Sequence, residues 1–193
     1  MRNILKATTL ENKFPLFTVE NGCIVSKDAD ITVAFRVELP ELFTVTAAEY
    51  EAIHSAWNKA VKVLPDYSIV HKQDWFIKEN YAPDIQKDDL SFLSRSFERH
   101  FNERPFLNHT CYLFLTKTTK ERSRMQSNFS TLCRGFLVPK EIKDKETVTK
   151  FLEAVGQFES IINDSGFITL TRLTSDEITG TKETAGIVEK YFS

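Results

Sequence analysis

His109 and Cys111 alternate onto one face of an apolar segment, and with Cys133 they form the nearest approach in this chain to a metal-ligand set. Zinc takes imidazole and thiolate ligands four at a time. No spacing here supplies the fourth, so buried thiols beside a solvated histidine is the preferred reading. His54 falls on or beside a helical stripe with Ile53 and Trp57, where a histidine at the edge of the core is expected, and His71 has Lys72 and Asp74 as near neighbours in an edge-strand setting. Glu79, Asp84, Asp88 and Asp89 gather in what reads as a solvated acidic loop. No G-x-S-x-G turn exposes a serine nucleophile and no H-E-x-x-H pair is present. Charge concentrates instead in Lys117–Arg134, where Lys117, Lys120, Arg122, Arg124 and Arg134 stand against the single Glu121, with Phe129 among them. Basic groups around an aromatic ring suit single-stranded nucleic acid, phosphates taking the charge and bases stacking on the ring. They equally suit an acidic face on a protein partner, so these six residues are the candidate contact set, with no catalytic, metal or cofactor-binding residue beside them.

Composition narrows the partners. The net charge of −2 and pI near 6.1 lack the overall electrostatic footprint of a dedicated nucleic-acid binder. A chain of 193 residues, 41% of them hydrophobic, has enough apolar surface for a core without metal or disulfide support. It carries 16 phenylalanines, each worth about 1.5–3 kcal/mol when buried, so most should be core and any surplus should mark an interface. Cys23, Cys111 and Cys133 are an odd set without C-x-x-C spacing, which reads as reduced thiols in the cytosol. Glu11 and Lys13 interrupt the start of the chain where a signal peptide would be apolar, and no 18-residue apolar run occurs. Direct membrane insertion is not expected; membrane association would come through partners.

The elements follow from periodicity and punctuation. Asn21-Gly22 between two β-rich runs marks a hairpin over 13–26, and Ile31, Val33, Phe35, Val37 and Leu39 alternate with smaller or polar residues as a strand over 31–39. Thr46 and Glu49 form a capping box for a helix over 47–64 that buries Tyr50, Ile53, Trp57, Ala60, Val61 and Leu64. A strand over 67–78 follows, then a helical stripe of Leu90, Leu93, Phe97 and Phe101 that must end before Pro105. The apolar run 110–116 predicts a buried strand, 118–145 a mobile basic loop, 146–163 a third helix stopped by Gly166, and 167–173 another strand. Thr174 and Glu177 open a short capped turn, and a weak helix over 185–192 is placed to dock by Ile187, Val188, Tyr191 and Phe192. Two βαβ-like units side by side predict one α+β domain: an antiparallel sheet with helices on one face, a ferredoxin-like split βαβ with an added N-terminal hairpin and an inserted helix.

Over nearly its whole length the chain resembles the amino-terminal region of TraG-type conjugation ATPases from conjugative transposons of Bacteroides-like bacteria. The likeness is carried by MRNILKATTLENKFPLF, VSKDADITVAF, AEYEAIHSAWNKA, HKQDWFIKENYAP, RHFNERPFLNHTCYLFLTKTTKER, SNFSTLCRG and AVGQFE. It implies a type IV secretion motor in which such a domain precedes a P-loop ATPase domain, so that this chain would be the first part of a longer protein. None of its six glycines opens a G-x-x-x-x-G-K-[ST] run, and ITGTKET around Gly180 lacks the first glycine. ATP hydrolysis is therefore carried over to no residue here. The resemblance implies a non-catalytic assembly domain that docks the motor to inner-membrane channel components or neighbouring subunits. Its partners would be the protein's own C-terminal ATPase domain, other conjugation-channel proteins and further copies of itself. The alternative is a domain that contacts DNA or a relaxase–DNA complex through Lys117–Arg134.

Overall fold

Asn21 and Gly22 take φ values of 52° and 70°, the two left-handed positions of a tight hairpin turn, and they fold β1 (Leu16–Glu20) back on β2 (Cys23–Ser26). In the computed structural model, which describes residues 14–27, 30–81, 91–118 and 145–191, this hairpin is one end of a six-stranded antiparallel sheet. The next strand, β3 (Ile31–Glu38), is central. One edge of it pairs with β5 (Pro105–Lys117) throughout, and the other is shared end to end by β2, opposite Ile31–Val33, and β6 (Thr169–Arg172), opposite Phe35–Glu38. Outside β5 lies β4 (Ser68–Asn80).

Helix α1 (Ala47–Val63) crosses from β3 to β4, and a later helix, Lys145–Asp164, crosses from β5 to β6. Between β4 and β5 stands α2 (Phe92–Asn102), so the later helix is α3. The spatial order β6-β3-β5-β4, with two crossover helices, is the ferredoxin-like split βαβ that the sequence predicts, the hairpin and α2 being its additions.

Both crossover helices lie on one face. Phe151, Val155, Phe158 and Ile162 of α3 share one stripe and are buried against Val33, Phe35, Leu113 and Leu115 of the sheet. From α1 only Ala60 is fully buried, with Ile53, Trp57 and Leu64 packed partly against the same core; Tyr50 and Val61, expected inside, are exposed. Trp57 meets Phe158 edge to face at 5.7 Å, a geometry worth about 0.5–1.5 kcal/mol beyond burial. The capping box is formed: Glu49 N–H donates to the Thr46 hydroxyl, and Thr46 N–H donates to the Glu49 carboxylate. In the last turn of α3, Asn163 ties the helix to β6, its amide oxygen accepting from Leu170 N–H at 2.7 Å and its amide nitrogen donating to Leu170 C=O.

The opposite face has a smaller core of Ala34, Tyr112, Leu173, Ile178 and Ile187. It is covered by α4 (Ser175–Thr179), the predicted capped turn realised as one helical turn, and α5 (Ile187–Lys190). Gly180 at φ 97° and Gly186 lie so close that a Cβ on either would collide with the other's backbone. Glycine is required there because the chain doubles back on itself.

Two expectations are corrected. The strand predicted over 110–116 begins at Pro105, because the more polar stretch Phe106–His109 is paired residue by residue with Phe76–Glu79 of β4. The stripe of Leu93, Phe97 and Phe101 on α2 buries no residue. The loop expected over 118–145 lies, from 119 to 144, outside the described residues, as does Phe192.

Candidate functional site

The β4–β5 hairpin is much longer than the core it belongs to. Its register runs without a break from Ser68↔Lys117 to Asn80↔Pro105. At the core end Cys111, Leu113 and Leu115 of β5 are buried, whereas from Phe76 outward on β4 and from His109 back on β5 every residue is exposed. At about 3.3 Å per residue the overhang from Asp74 to Asn80 extends about 20 Å.

This arm is apolar. Phe76, Ile77, Phe106 and Leu107 stand exposed on its two faces, and at its end α2 presents Phe92, Leu93, Phe97 and Phe101, the first two 85% and 80% accessible. Aromatic contacts organise the tip: Phe97 lies 4.4 Å from Phe101, which meets the Tyr81 ring edge to face at 6.4 Å. The helix is set locally by Ser91, whose hydroxyl accepts from Ser94 N–H, and by an Arg99–Glu103 ion pair at 2.9 Å in its last turn. An amphipathic helix ordinarily buries its apolar stripe. Here Phe92, Leu93, Phe97 and Phe101 are all exposed instead.

Where the arm joins the core, Asp74 accepts from the Lys72 ammonium and from His109 Nε2, the latter at 2.9 Å. These two donors hold its carboxyl down at about 2, against an ordinary 3.8. Since a carboxylate can only accept, His109 donates through Nε2, and its ring stacks on Phe76 at 4.7 Å. Neighbouring Cys111 is buried and its thiol is pushed up by desolvation, so it is held as the unreactive protonated form. Among the described residues no group of three His, Cys, Asp or Glu could hold a metal ion; Cys133, the third residue of the candidate zinc set, lies outside them. A cavity of about 260 Å³ opens nearby between α1 and the sheet, lined chiefly by Val37, Ile53, Trp57, Leu113 and Ile168, with His54 and Lys72 at its polar side. His54 is exposed and contacts Asn58 at 3.3 Å, and the protonated Cys111 thiol also lines the cavity.

Of the basic contact set, Lys117 is described, and its ammonium donates to Asp66 C=O at 2.6 Å and lies 5.4 Å from the Tyr67 ring centroid. Lys120, Arg122, Arg124, Phe129 and Arg134 lie outside the described residues. Glu79 is on β4, accepting from the Asn108 amide, not in an acidic loop; Asp84, Asp88 and Asp89 are outside the described residues. No residue type in the sequence marks the arm; its signals there are the surplus of phenylalanine and the helical stripe of Leu93, Phe97 and Phe101 before Pro105.

Residues 3–55 match the model of a family described as "Domain of unknown function, B. Theta Gene description (DUF3875)". The match spans the hairpin, β3 and the first half of α1. No curated protein matches the chain. Among the described residues no helix is long and apolar enough to cross a membrane.

Proposed function

We propose that this chain is a non-catalytic assembly module of a conjugation motor ATPase of the TraG type, and that it docks the motor to channel components through the β4–β5 arm and α2. The carrying observation is the exposed apolar stripe of Phe92, Leu93, Phe97 and Phe101 beside the overhanging end of the β4–β5 hairpin. The thirteen residue pairs of β4 and β5 carry the hairpin past the core, where a partner can cover the stripe. The sequence resemblance supplies the kind of partner, and the chemistry of the site supports contact over catalysis: its titratable groups are spent on each other.

The test is capture of purified channel components by the motor that carries this domain, with and without Phe92→Ser, Leu93→Ser and Phe97→Ser together. Exposed positions of this kind change stability within about 0.5 kcal/mol each, so the variant should melt like the parent and lose at least one component. Equal recovery of every component would remove the reading.

A further inference from the structure

Strand β4 is the outermost strand on its side of the sheet, thirteen residues long, paired with β5 along one edge and with no described strand along the other; the Tyr191 hydroxyl donates to the side chain of its Gln73. Open edges offer a row of N–H and C=O groups to any second strand, and are normally blunted by shortness, proline, a bulge or charged side chains, of which β4 carries Lys72, Asp74, Lys78 and Glu79. Ser68–Asn80 contains no proline, and its register with β5 has no slip.

We propose that β4 pairs antiparallel with β4 of a second copy of this chain about a two-fold axis at Gln73, joining two sheets into one. The choice of partner rests on charge and register. Antiparallel pairing about such an axis sets residues of the same face opposite each other. With Gln73 at the centre, Lys72 opposes Asp74 of the second copy, twice over by symmetry. Each copy already brings the Lys72 ammonium to the Asp74 carboxylate, so the four groups alternate in sign around the axis. On the same face Val70 opposes Phe76, and on the other face Ile69 opposes Ile77. Ile69, Phe76 and Ile77 are all exposed in the single chain, and this register gives each an apolar neighbour.

Other registers fail on the same residues. An axis at Asp74 or at Lys72 sets like charge against itself, and an axis at Trp75 opposes Lys72 with Lys78. Centring on Phe76 avoids that conflict but leaves Ile69 and Val70 unpaired. The pairing shares Phe76 and Ile77 with the arm but uses none of the α2 stripe, so substitutions on α2 separate it from the docking proposal.

Sedimentation equilibrium on the 193-residue chain tests it. Self-association to a dimer is expected, weakened about tenfold or more by either Lys72→Asp or Asp74→Lys, since each sets like charges opposite one another at two symmetric places. The double variant K72D/D74K restores the pairing to within about threefold of the parent, which also carries the test if a single swap unfolds. Phe92→Ser on α2 should leave the dimer constant unchanged. A chain that stays monomeric to about 100 μM, a dimer indifferent to the single swaps, a double variant that remains monomeric, or a dimer lost with Phe92→Ser would each overturn the proposal.

Discussion

Asp74 shows how one residue acquires its character from the sheet. Lys72, two positions away on the same face, and His109, across the hairpin, both donate to it and stabilise its charged form. Because its folded value is depressed to about 2 from 3.8, its contribution is fully present above the ordinary carboxylate range and is lost as pH falls toward 2. Asp74→Asn removes that dependence: urea midpoints measured from pH 5 down to pH 2 should decline less steeply in the variant than in the parent. An equal slope would show that the two donors add nothing to the stability of the fold. Lys117 illustrates the opposite outcome, a cation read as available that is engaged by the Asp66 carbonyl and the Tyr67 ring.

At the scale of elements, α1 and α2 carry comparable local signals and meet different fates. Both have a hydroxyl cap and an apolar stripe. The stripe of α1 leans on α3 and the sheet through Ile53, Trp57 and Ala60, whereas α2 is carried away from the core by the length of β4 and β5. The Thr46 cap holds the first turn of α1 at its junction with β3. Thr46→Ala should cost about 1 kcal/mol, read as a shift in denaturation midpoint with unchanged m-value. The hairpin β4–β5 is the element that turns an ordinary α+β domain into one with a lever, and its overhang exists because pairing continues after burial stops.

The whole molecule is a sheet with two unequal cores. The larger holds Phe35, Phe151 and Phe158 under α1 and α3; the smaller holds Ile178 and Ile187 under the C-terminal turn. Arg36 of β3 reaches Glu177 of α4 at 3.2 Å, and Gly22 N–H donates to the Ser175 hydroxyl, so the end of the chain is fastened to both the centre and the hairpin end of the sheet. Ile178→Ala should therefore destabilise the entire domain by about 2–5 kcal/mol in one cooperative transition, checked by coincident fluorescence and circular-dichroism melts. Separate transitions would show the second core to be an independent unit. What the sequence determined by itself is whatever short-range chemistry specifies: the Asn21-Gly22 turn, the Thr46 and Thr174 capping boxes, and the alternation of β3. The 3.6-residue stripe of α3 belongs with them, and together these fix two strand–helix–strand units. Tertiary structure alone decided that β5 begins at Pro105, that Asp74 meets His109 thirty-five positions away, that α4 and α5 close the second face, and that α2 exposes its phenylalanines. Periodicity records which residues share a face, but what that face meets depends on strands paired across long stretches of chain, and that pairing is settled only when the whole sheet forms.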